Sequence, residues 1–116
     1  MEIKLLAKSS SKDVTYSVTF TKSKQTLTIH CDCPAGRFSK LCKHKIELAM
    51  GDSNMLHDIG QGTDMDKANK LAFQTDLFKE LFKIKKIQNQ IAEQQNNLRK
   101  QKKTVEKLMK NGANIT

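Results

Sequence analysis

All three cysteines of the chain fall in one short window, Cys31-Asp-Cys33, then eight residues, then Cys42-Lys-His44. Thiolate and imidazole are soft donors, and Cys3His is a common set for a four-coordinate structural zinc. The spacing suits such a site. Residues two apart on an extended strand point to one face, so Cys31 and Cys33 can grip a single ion. Cys42 and His44 cannot do this from mid-helix, where residues two apart lie on nearly opposite sides. They belong where a loop enters the first turn of a helix. A redox Cys-x-Cys pair is the bland alternative, and a nucleophilic Cys–His pair lacks an orienting third group or an oxyanion site.

The elements that must position these residues are visible on either side. Val14, Tyr16, Val18 and Phe20 alternate with polar residues, and so do Leu27, Ile29, Cys31 and Cys33, which predicts two half-buried strands. The segment Thr21-Lys-Ser-Lys24 can close them into an antiparallel hairpin. This parity puts both thiols on the apolar face and His30 on the opposite one. Pro34-Ala-Gly36 reads as a turn in which Gly36 supplies backbone angles that other residues avoid. Phe38 and Leu41 are expected to fold back over the metal, and Lys43–Met50 to form a short helix ended by Gly51. Ile3 and Leu5 mark a further edge strand within residues 2–7, and Lys8–Asp13, with three serines in a row, reads as a loop.

Cys-x-Cys, a short loop, then Cys-x-His resembles the SWIM-type zinc finger, over roughly residues 14–50. The resemblance extends to the extended segment Thr26–His30 before the first pair and the apolar helical segment Lys45–Met50 after His44. It implies a two-stranded hairpin and a helix around one zinc, with Cys31, Cys33, Cys42 and His44 as ligands. Such modules accompany chromatin-remodelling-type helicases, transposases and signalling proteins, where they look like DNA-binding or protein-binding attachments.

After a linker-like stretch, residues 52–63, the chain runs from Asp64 to Lys110 without Gly or Pro. Thr63 or Asp64 offers an N-cap. Leu77, Ile84, Ile91, Leu98 and Val105 recur every seven residues, with Phe73, Glu80, Ile87, Gln94, Gln101 and Leu108 at the companion positions. One unbroken helix here would be roughly 70 Å long at 1.5 Å per residue, so a coiled-coil dimer or a helical hairpin bent near Asn96-Asn97 fits better. The fold expected is a small α+β zinc-binding domain (residues 1–51), a linker, a long helical, coiled-coil region (residues 64–111) and a tail (residues 112–116).

The formal charge of +9 is uneven: +5 over residues 1–50, −3 over residues 51–82 and +7 over residues 83–116. Arg37, Lys40, Lys43 and Lys45 surround the second half of the metal site and form a candidate nucleic-acid surface, or else offset the anionic zinc–thiolate centre. The partners expected are therefore DNA or RNA, a protein, and a second copy of the chain through the helix, with no membrane span. Reduced metal-binding thiols point to an intracellular compartment, whether cytoplasm, nucleoid or nucleus. No paired catalytic carboxylates, phosphate-binding glycine loop or open metal position is readable, so no enzyme activity is expected.

Overall fold

The structure, a computed structural model, describes residues 1–9 and 14–116. Three antiparallel strands form one sheet in the order β1 (Glu2–Lys8), β2 (Thr15–Ser23) and β3 (Thr26–Cys31). The alternation seen in the sequence sets the register: Leu5 pairs with Val18, Phe20 with Ile29, and Val18 with Cys31. Ile3, Leu5, Ala7, Val18, Phe20 and Cys31 are all buried on one face. A one-residue slip would turn that whole set to solvent, so burial enforces the pairing. The hairpin is tighter than expected. Strand β2 continues to Ser23, and Lys24 takes a left-handed conformation (φ 56°) at the corner. Within the segment expected as a loop, Lys8 ends β1, and residues 10–13 lie outside the described residues.

Four helices follow: α1 (Pro34–Arg37), α2 (Lys43–Ala49), α3 (Gly62–Phe73) and α4 (Asp76–Asn111). Helix α2 buries Ile46, Leu48 and Ala49, and α3 buries Met65, Ala68 and Ala72. Small residues four apart on α3 let it approach its neighbours closely. Gly51 takes φ +81° just beyond α2, the left-handed cap expected of it, and the Asn69 Nδ2 donates to the Ala49 carbonyl at 2.8 Å. Two carbonyls of the last turn of α2 are thus satisfied within the fold, Leu48 by the Gly51 N–H at 3.1 Å and Ala49 by Asn69.

Residues 52–63 contain two 3-10 turns and pack against the outer edge of β1. Leu56 is 1% exposed, bridges Ala7, and is followed by the His57 N–H donating to the Leu6 carbonyl at 2.9 Å. The Gln61 amide then acts as one more strand residue: its Oε1 accepts from Leu6 N at 2.8 Å and its Nε2 donates to Lys4 O at 3.2 Å. An open edge with unpaired backbone groups is a template for unwanted pairing, and these contacts cover it.

The helical region departs from expectation in three places. Helix α3 starts at Gly62 with Gln61 in the capping position, two residues ahead of Thr63 and three ahead of Asp64. The helix is interrupted at Gln74-Thr75, where the Thr75 hydroxyl donates to the Ala72 carbonyl at 2.7 Å and competes for the acceptor that a continuing helix would use. Phe73 and Phe78 close this break edge to face, with ring centroids 4.7 Å apart. Asn96-Asn97, by contrast, lies inside α4 with no bend to a hairpin. The chain forms two compact units, residues 1–81 and residues 82–116, the second built on α4 beyond Leu81.

Candidate metal centre

Cys31 is the last residue of β3 and Cys33 is the N-cap of α1, so the strand parity carries both thiols to the buried face. Cys42 is the N-cap of α2 and His44 lies in its first turn, the position that helix geometry demands of a Cys-x-His pair. One ligand atom from each of the four lies within 4.8 Å of the others. Tetrahedral bonds of ~2.3 Å to sulfur and ~2.05 Å to nitrogen set those donors about 3.6 Å apart, close to the 3.8 Å between Cys31 Sγ and His44 Nδ1. The group can hold one metal ion. Cys31, Cys33 and His44 are buried and Cys42 is half-buried.

The surroundings fit metal ligation. The Gly36 N–H donates to Cys33 Sγ at 3.3 Å, and the Arg37 N–H donates to the Cys33 carbonyl at 2.9 Å, so α1 is anchored on its own ligand residue. Gly36 is needed for space rather than for unusual backbone angles. A Cβ there would lie 1.9 Å from the Cys31 carbonyl oxygen, and its φ is not in the left-handed region. On the other side Tyr16 packs against the His44 ring at 5.3 Å between centroids, and His44 Nε2 is buried without a hydrogen-bond partner. The ring nitrogen placed to ligate is Nδ1, which faces the Cys31 thiol, and Nε2 lies on the other edge of the ring.

Electrostatics set the thiols apart. Burial pushes Cys31 from its ordinary 9.0 up to about 12. Burial alone would raise Cys33 too, but the Gly36 N–H and the neighbouring thiols Cys31 and Cys42 outweigh it and hold Cys33 below its ordinary value. His44 is lowered by burial and by the Lys43 charge, against the opposing effects of the Lys8 backbone and Asp32. Hence Cys33 ionises more readily than Cys31.

His30 lies across from Thr19 on the exposed face, away from the cluster. Accordingly, His30→Ala should keep one metal per chain, whereas His44→Ala should lose stoichiometric metal at neutral pH. Metal content by mass spectrometry under native conditions checks both, and the opposite pattern would overturn the ligand set.

Of the four basic residues expected near the site, Arg37, Lys40 and Lys43 are exposed and Lys45 is half-buried. Two of them are also structural. Arg37 Nε donates to the Asp32 carbonyl at 3.1 Å, and Lys45 Nζ donates to the Lys40 carbonyl at 3.0 Å, bracing the loop between the ligand pairs. Phe38 and Leu41 do not cover the metal site. They are 77% and 58% exposed, because Ser39 takes a left-handed turn (φ 58°) that lifts this part of the loop outward. Leu41 instead borders an apolar groove of about 240 Å³ with Ile29, Lys45, Ala49, Leu77 and Leu81.

No family model matches the chain, and comparison with curated proteins and with solved structures returns no match. Among the described residues, no helix is long and apolar enough to cross a membrane.

Proposed function

We propose that the chain is a structural-zinc module of SWIM type whose basic surface binds nucleic acid, with duplex DNA as the favoured partner. The observation that carries the reading is the convergence of Cys31, Cys33, Cys42 and His44 within 4.8 Å, from a Cys-x-Cys strand end and a Cys-x-His helix start. Three thiolates and an imidazole are the donor set that favours zinc over harder cations, and with all four positions supplied by protein the ion is structural rather than catalytic. Arg37, Lys40 and Lys43 are exposed beside it, and their charges suit the phosphate contacts that supply most non-specific affinity.

The test is a salt series with zinc-loaded chain and a labelled duplex. About three phosphate contacts predict a log–log slope near −2.7 and roughly a 40-fold loss of affinity from 50 to 200 mM salt. Lys40→Ala and Lys43→Ala are the informative variants, since the side chains of Arg37 and Lys45 also brace the loop. Each should reduce the slope by about one. No binding even at low salt would sink the nucleic-acid reading. The exposed Phe38 and Leu41 beside the apolar groove would then favour the rival, a protein-docking adaptor.

A further inference from the structure

We propose that α4 beyond Phe82 pairs with a second copy of itself as a parallel, in-register two-stranded coiled coil, in which Gln94 and Gln101 each meet their own counterpart. The proposal goes beyond the metal-module reading and stands on residues outside that unit. Ile84, Ile91, Leu98 and Val105 follow one another every seven residues, and Ile87, Gln94, Gln101 and Leu108 follow at the alternate spacing. Within the unit that contains them, the apolar members from Ile87 onward are 40–55% exposed. A stripe two positions wide per heptad is the narrow seam of a coiled coil rather than the broad face of a helix packed in a globule.

A shallow, open recess lies on this stripe. It measures about 350 Å³ and is lined by Ile87, Gln90, Ile91, Gln94, Gln95 and Leu98. Its first four residues form the hole that Ile91 of a parallel partner fills, and Ile91, Gln94, Gln95 and Leu98 form the next hole, for Gln94. Charge points to a second copy as the occupant. Of the nine basic residues between Lys83 and Lys110, only Lys83 and Lys102 flank the seam, and the other seven lie on the outer positions. In a parallel pair Lys83 faces Gln88 and Lys102 faces Asn97 of the other copy, so a strongly basic helix meets itself without like charges in contact.

The glutamines choose the direction. In a parallel register Gln94 lies opposite Gln94 and Gln101 opposite Gln101, and each amide can donate to and accept from its twin. In the antiparallel arrangement that aligns the same apolar ends, Gln94 meets Leu98 and Gln101 meets Ile91, leaving buried amides opposite alkyl chains. Polar residues in a seam specify register at a cost in stability, so the pairing is expected to be reversible rather than obligate.

Sedimentation equilibrium on the full zinc-loaded chain, over tens to hundreds of micromolar, should show a monomer–dimer equilibrium. Gln94→Lys and Gln94→Glu should each weaken the dimer about tenfold, and an equimolar mixture should form a heterodimer tighter than either alone by a similar factor. Gln94 is exposed in the chain, so circular dichroism and metal content should match wild type in both variants. A wild-type chain that stays monomeric overturns self-association. Variants that dimerise like wild type show that the seam is not the interface. A mixture no tighter than its components overturns the parallel register. Each of these failures leaves zinc and duplex binding by the first unit to be judged on its own measurements.

Discussion

Stripping zinc from the full chain with a strong chelator should unfold the first unit while leaving most of the helical signal of α4 intact. Three strands and short helices enclose a small core, and near 80 residues a core supplies only ~3–5 kcal/mol by itself, so a structural metal can decide whether it stays folded. Structural zinc contributes about 10 kcal/mol or more of apparent binding free energy in finger peptides, which exceeds what this core can lose and remain folded. Near-ultraviolet circular dichroism of Tyr16, which packs on His44, reports the site directly. A proteolysis time course should show new cleavage in residues 14–50 after chelation. An unchanged pattern would mean that the thiols are passive core residues.

The pH dependence should separate the metal-free and metal-bound forms. Binding requires thiolates and a neutral imidazole, so apparent zinc affinity rises with pH as the donor groups give up protons. Without metal the sign at the alkaline end reverses. Cys31 is raised above its unfolded value, so the stability it confers is complete below about pH 9 and is lost as pH climbs towards about 12. His44 is lowered, so the metal-free fold also weakens as pH falls through and below its ordinary 6.5. Whatever residual structure the metal-free first unit keeps should therefore be most persistent between these limits, whereas zinc-loaded chain should remain folded above pH 9.

Gly36→Ala should be the most damaging single-methyl change in the chain. The added Cβ would meet backbone, the Cys31 carbonyl oxygen at 1.9 Å, rather than a side chain that could rotate away. Helix α1 must then shift, taking with it the Cys33 thiol to which Gly36 donates. Overpacking of this kind costs about 1–3 kcal/mol, which corresponds to roughly 5- to 150-fold in zinc affinity. Competition with a calibrated chelator measures it, and Gly62→Ala, where nothing lies within 4 Å, is the control expected to change nothing. Equal affinities for wild type and Gly36→Ala would show that α1 does not fix Cys33.

The four-residue Cys/His cluster was readable because its geometry is local. Strand parity at Cys31 and Cys33 and the helix start at Cys42 and His44 follow from spacing alone, as does the outward placing of His30. The reason for Gly36 was not readable, since its neighbour Cys31 becomes close only once α1 turns back on β3. Gln61 and Asn69 gave no signal at all. Their partners lie 55 and 20 residues away, and a side-chain amide that completes a distant backbone looks in sequence like any polar surface residue. The break at Thr75 was hidden for a related reason: Thr is tolerated within helices, and only its bond to Ala72 shows that here it interrupts one.

The Gln61 clamp on β1 has a bearing on where the module could be cut from one chain and grafted onto another. Counting from the metal ligands suggests a cassette that stops at Gly51. Such a cassette would leave behind Leu56, His57 and Gln61, and with them the groups that seal Lys4, Leu6 and Ala7. What remained would keep every ligand and still present a bare strand to its neighbours, free to recruit the same strand from another molecule. The transferable cassette reaches at least to Gln61, and its boundary is drawn by the sheet rather than by the metal.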